Sequence, residues 1–177
     1  MRTIIASLMF LAAVLGLSGS AFALDKENTL YIDLKDGRVV IEMLPKVAPK
    51  HVAQIKKLAR EGKYDGLVFH RVIDGFMAQT GDPQGTGRGG MGDLLQAEFS
   101  KEPFTRGAVG MARTQDPNSA QSQFFIVLKD STFLDGQYTV WGRVTSGMEF
   151  VDKIKKGEPP VNPDKMIKVR VAADVKE

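Results

Sequence analysis

Phe69-His70-Arg71-Val72-Ile73-Asp74-Gly75-Phe76-Met77-Ala78-Gln79 is the stretch on which the reading of this chain turns. Apolar and β-branched residues flank Asp74-Gly75, a turn signal that folds a second strand back beside the first. On a strand, side chains two apart share a face, so Phe69 and Arg71 point the same way. That sets an arginine among Phe69, Phe76 and Met77. Spacing alone leaves a plainer alternative open, an exposed arginine whose methylene stem lies on apolar neighbours.

Working outward, Leu30, Ile32 and Leu34 alternate with Tyr31 and Asp33, the period of a half-buried strand. Asp36-Gly37 offers a hairpin turn in which both positions can take positive φ. Val39, Ile41 and Met43 then alternate with Val40 and Glu42, so a hairpin is predicted over 28–44, ended by Pro45. Pro49 suits the first position of a helix, and Gly62 is placed to stop it. Val52, Ile55, Leu58 and Ala59 form its apolar face; Lys50, Lys56, Lys57 and Arg60 lie mainly on the wet side, and His51 is expected to face solvent. Further strands are predicted over 67–73, 75–80, 107–112, 122–128, 139–144 and 166–175, with a second short helix over 147–155. Many short strands separated by Gly and Pro argue for an antiparallel sandwich or a closed barrel, and the pattern does not choose between them.

The first 23 residues read as a secretory signal, leaving residues 24–177 as one domain. Arg2 gives a positive start, Ile4 to Leu17 an apolar run, and Ala21-Phe22-Ala23 a small-residue cleavage site. The run is short for a membrane span. No Cys follows it, so no lipid anchor and, after cleavage, no membrane association is expected. The whole chain of 177 residues has no Cys, which removes disulfides, thiolate metal sites and thiol nucleophiles. Twenty-four basic against 21 acidic residues give a net charge of +3, one less without Arg2, too balanced to argue for nucleic acid.

Several chemistries lose their residues at this point. Only two histidines exist, His51 and His70, which makes a catalytic zinc site improbable, and no metal is expected. No Ser stands in a nucleophile-elbow setting, and His70 inside an apolar strand reads as a satisfied core histidine. Gly85-Thr86-Gly87-Arg88-Gly89-Gly90 matches a dinucleotide loop in letters only. Such a loop needs a following helix, whereas Gly92 and Asp93 follow here, so it reads as a flexible loop able to approach a ligand closely.

The runs FHRVIDGFMAQTGD (69–82), GTG (85–87), MAR (111–113), SQFFI (122–126), FLDG (133–136) and VWGRV (140–144) together resemble the cyclophilin family of peptidyl-prolyl isomerases. They occur in that family's order and cover nearly all of the chain after residue 23. The resemblance implies a closed eight-stranded antiparallel β-barrel capped by two α-helices, with a substrate groove on its outer face and no cofactor. It makes Arg71 the catalytic arginine. Phe76, Met77, Phe125 and Leu134 would form the pocket for a proline ring. Gln79 and Gln123 would orient Arg71 and the substrate backbone. Ala112, Arg113 and Thr114 would line the groove, with the Arg113 backbone bonding the residue before proline, and Gly85 would sit at a neighbouring secondary pocket.

The chain departs from well-known eukaryotic members in ways that bear on ligands. Phe133 stands where they carry a Trp that hydrogen-bonds cyclosporin, so binding of a cyclosporin-type ligand is expected to be weak. Tyr138 replaces a groove-edge His, and Arg113 an Asn. The loop between Asp82 and Gly85 is shorter, and Gln115-Asp116-Pro117-Asn118 slightly longer. The expected partners are proline-containing segments of folding exported proteins, the expected compartment is a bacterial periplasm, and the expected state is a monomer. A chaperone that holds such segments with little turnover is the runner-up. A lipocalin-like carrier would need a hollow barrel, against which stand the large side chains expected inside: Phe99, Phe104, Met111 and Phe124.

Overall fold

A computed structural model describes residues 25–176. The proposed signal segment, residues 1–23, lies outside the described residues. The chain runs β1 (Thr29–Leu34), β2 (Gly37–Met43), α1 (Pro49–Arg60), β3 (Arg71–Ile73), β4 (Met77–Thr80), β5 (Ala108–Met111), β6 (Phe124–Val127), β7 (Val140–Ser146), α2 (Met148–Asp152) and β8 (Lys168–Val171). All neighbouring strands are antiparallel, in the order β3-β4-β6-β5-β7-β2-β1-β8.

The predicted hairpin forms, but its turn is Lys35-Asp36, since Leu34 already pairs with Gly37. Glycine is needed at 37 for space as well as for its φ of +155°: a Cβ there would lie 2.4 Å from the Phe150 ring. Helix α1 starts at Pro49 as expected and ends through Gly62 at φ +67°, where Gly62 N–H reaches Ala59 O at 3.0 Å and Lys63 N–H reaches Leu58 O at 2.9 Å. His51 is fully buried rather than solvent-facing. Its ring Nδ1 meets Glu98 Oε2 at 2.7 Å, and Glu98 also accepts the Lys50 and His51 backbone N–H groups. Ala48 cannot cap this helix, so a carboxylate from a distant loop does it.

The expected closed barrel is an open half-barrel. Strands β3 and β8 end the sheet without pairing with each other. The chain leading into β8 instead makes single bridges, Val72 to Gly157 and Val68 to Lys165. The last predicted strand also stops early, turning into a 3-10 turn at Ala172–Asp174, and α2 spans five residues.

The concave side is filled, which removes the hollow-carrier reading. Phe124 lies edge-on to both Tyr64 (5.6 Å) and Trp141 (5.4 Å), and Leu30, Ile32, Ile41 and Met111 pack with them. Phe99 does not join this core; it is 45% exposed. Phe104 is buried, but in a second apolar cluster with Met77, Phe125, Val127, Leu134 and Val140. Strand β6 is buried on both faces, Phe124 and Ile126 going to one cluster and Phe125 and Val127 to the other. The second cluster carries the site.

Candidate functional site

Strand register builds the site. Arg71 on β3 lies opposite Gln79 on β4, Gln79 opposite Phe125 on β6, and Phe125 opposite Gly110 on β5. Residues directly opposite share a face of the sheet, so Arg71, Gln79 and Phe125 form one transverse row. The row ends at a position without a side chain. A Cβ on Gly110 would lie 2.5 Å from the Phe104 ring and 2.6 Å from that of Phe125. With glycine there, the two rings stack with centroids 5.7 Å apart; Phe104 is fully buried and Phe125 lines a cleft.

The cleft has a volume of about 460 Å³. The sequence-predicted residues Arg71, Phe76, Met77, Gln79, Gly85, Ala112, Arg113, Phe125, Leu134 and Tyr138 all line it. Met77, Phe125 and Leu134 are buried and form an apolar slot, with Tyr138 set edge-on to Phe125 at 5.8 Å. Thr114 and Gln123 line an adjoining pocket of about 390 Å³, which shares Gln79, Ala112 and Arg113 with the first. Phe133 stands apart from both, exposed, with its ring 5.5 Å from that of Phe76.

The polar groups are wired differently from the expectation. Gln79 faces Arg71 across the strand pair, but its amide donates to Gln123 Oε1 at 2.9 Å, and Gln123 in turn donates to Gly89 O at 2.7 Å. Arg71 instead donates from Nε to Glu158 Oε2 at 2.7 Å. Glu158 and Pro159 line the cleft, and sequence reasoning missed both. The Arg113 guanidinium lies 4.4 Å over the Tyr138 ring and donates to Gln137 O and Thr114 O, so its side chain braces the rim.

One wall of the cleft is the glycine-rich loop, and it is tied down rather than flexible. Asp82, 1% exposed, accepts from the backbone N–H groups of Gln84 (2.8 Å), Thr86 (2.9 Å) and Gly87 and from the Thr86 hydroxyl. Burial pushes the Asp82 carboxyl up, but the ring of backbone N–H donors outweighs it and holds the carboxyl below its ordinary value. Gly85 and Gly87 take positive φ so that the chain can wrap this carboxylate.

His70 also corrects the expectation. It is buried against Gly87 and lines the cleft, yet both ring nitrogens lack a hydrogen-bond partner among the described residues. Burial lowers its pKa, against the opposing pull of Asp82, so the imidazole is neutral at neutral pH.

Sequence and structure comparisons agree on one family. The sequence model for "Cyclophilin type peptidyl-prolyl cis-trans isomerase/CLD" matches residues 29–171. A probable peptidyl-prolyl cis-trans isomerase of Brucella suis is 55% identical over 193 aligned positions, covering 99% of this chain and 98% of the relative. Peptidyl-prolyl cis-trans isomerase B of Bacillus subtilis is 46% identical, covering 74% and 93%. Among solved structures, cyclophilin AquaCyp293 of Hirschia baltica superposes with a TM-score of 0.80 at 33% identity, covering 86% of this chain and 76% of that one. A Cryptosporidium parvum cyclophilin type isomerase, crystallised in the presence of the dipeptide Ala-Pro, gives a TM-score of 0.76 at 28% identity, covering 81% and 98%.

Proposed function

The chain belongs to the cyclophilin-type family of peptidyl-prolyl cis-trans isomerases, and from that premise we propose that it turns Xaa-Pro bonds with Arg71, in proteins folding after export. The observation that carries this reading is Arg71 lying in one row with Gln79 and Phe125 at the edge of a buried apolar slot.

Amide resonance sets a rotation barrier of about 18–20 kcal/mol. Cis and trans Xaa-Pro are nearly equal in energy, so the block is kinetic, on the scale of tens of seconds. Reaching milliseconds needs about four decades, or roughly 5–6 kcal/mol off the barrier. No proton leaves and no bond breaks. As the C–N bond twists, the prolyl nitrogen becomes pyramidal and gains a localised lone pair. A guanidinium N–H that meets this lone pair binds the twisted state and finds little in the planar one, which is differential transition-state binding. Arginine stays charged and offers several N–H donors in one plane, so donation of Nε to Glu158 leaves both Nη groups for substrate.

Met77, Phe125 and Leu134 hold the proline ring while the acyl side rotates, and by excluding water they strengthen the Arg71 hydrogen bond. The Arg113 backbone bonds the residue before proline. The adjoining pocket with Thr114 and Gln123 takes chain further upstream. The Ala-Pro dipeptide named for the Cryptosporidium relative supports a proline-sized occupant. Export rests on Arg2, the apolar run and Ala21-Phe22-Ala23. It is tested by fractionation and N-terminal sequencing of the secreted form, where retention of Met1 in the cytoplasm defeats it.

Arg71→Ala tests the mechanism. With a half-exposed side chain, its loss leaves the fold intact, while turnover of Ala-Xaa-Pro-Phe peptides drops by about 10²–10³-fold, the usual scale for removing a donor that acts on the transition state. Unchanged turnover would refute the role. Full suppression of aggregation by the inactive variant would favour the runner-up reading, a holding chaperone.

A further inference from the structure

We infer that Glu158 is a positioning residue for the isomerisation: it takes the Nε–H of Arg71 and fixes the plane of the guanidinium, so that the Nη groups face the bond being twisted. This rests on the reading of Arg71 above.

The contact joins residues 87 positions apart, at 2.7 Å. Both side chains are about half exposed, at 44% and 51%. An ion pair this open contributes little to stability, so its effect is directional. A guanidinium is planar and rigid, and holding its Nε–H toward one acceptor removes the rotation that would otherwise sweep both Nη groups through the cleft. Among the described residues lining the cleft, Glu158 is the only acid.

The acceptor is itself held. Val72 N–H donates to Gly157 O at 2.8 Å, and Gly157 N–H returns to Val72 O at 2.9 Å, so the residue before Glu158 is locked to the residue after Arg71. Two further bonds brace the loop: Lys155 N–H to Asp164 at 2.9 Å, and Lys155 Nζ to Asn162 O at 2.8 Å. The path needs glycine at 157, where φ is +146° and a Cβ would lie 2.6 Å from Pro160. The loop thus delivers a carboxylate to a strand that has no acid of its own beside Arg71.

The test uses peptide isomerisation with wild type, Glu158→Ala, Glu158→Gln, Arg71→Ala and the double variant, with urea midpoints as a control on folding. Losing one charge-assisted hydrogen bond predicts that Glu158→Ala lowers kcat about tenfold at unchanged KM. Glu158→Gln, which still offers an oxygen to Nε–H, recovers part of that loss. A slowly exchanging Arg71 Nε–H proton resonance is expected in wild type and is lost in Glu158→Ala, a signature that mere loop packing would not move. In the Arg71→Ala background, Glu158→Ala should cost nothing further. Unchanged kcat, or the same loss with and without Arg71, overturns the proposal. So does a rise in kcat/KM, which would make Glu158 a competitor of the substrate. If Arg71→Ala itself turns over normally, the isomerisation mechanism falls first, and that result is read independently of every Glu158 variant.

Discussion

The two faces of β6 hold nearly the same residues and do opposite work. Inward, Phe124 and Ile126 are buried among Trp141, Tyr64 and the other strands. Outward, Phe125 and Val127 meet Phe104, Met77 and Leu134, but the layer above them stops short and leaves a cleft. A packed interior loses stability when an atom is removed. A slot that ends at a surface loses affinity first, because part of its lining already awaits a ligand. The difference lies in what covers each face, and hydrophobicity alone does not separate them.

The sharpest way to break this comparison is to truncate the two neighbouring rings. Phe124→Ala is expected to cost about 3–5 kcal/mol in urea unfolding, as large-to-small core changes do. Phe125→Ala should cost less stability but raise the peptide KM by about tenfold or more, since a hydrophobic pocket loses its main contact surface. Equal stability losses and an unchanged KM would erase the distinction between the faces.

A smaller effect is expected in the wall of the cleft. Asp82→Asn removes a charge that accepts several backbone N–H bonds, at a cost of about 1.5–3 kcal/mol. Because the folded carboxyl sits below its ordinary 3.8, its contribution is complete above that value and is lost as pH falls through the lower folded one. Amide protection over residues 84–89, taken relative to the intrinsic exchange rate at each pH, should therefore fall in acid before that of the β1–β2 hairpin; a simultaneous fall would show that the loop has no separate lock. The smallest effect is expected at the rim. Phe133→Trp should leave turnover almost untouched and tighten cyclosporin-type inhibition, and failure to tighten would remove Phe133 as a ground for expecting weak binding.

Much of this was legible before any coordinates. Strand alternation marked β1 and β2, Pro49 and Gly62 bracketed α1, and the linked motifs placed Arg71, Phe76, Met77, Phe125 and Leu134 in one cleft. What stayed hidden depends on partners far away in sequence. Glu98 makes His51 a buried residue; local periodicity on α1 could not show that. Glu158 reaches Arg71 across 87 positions, and Gln79 donates to Gln123, 44 positions away. Asp82 folds the glycine-rich run around itself, an arrangement that its letters alone render as looseness. The open sheet could not be read from strand number, since eight strands do not say whether the first and last of the sheet, β3 and β8, pair with each other.

That unfinished seam has a consequence for the chemistry. Had β3 continued as a full partner of β8, a ladder of main-chain bonds would fill the space where the segment around Gly157 now docks. The arginine would then border β8, whose sequence Lys168-Val169-Arg170-Val171 carries two cations and no carboxylate. By stopping after three residues, β3 leaves a berth for an irregular segment, which brings a carboxylate where β8 would bring lysine and arginine.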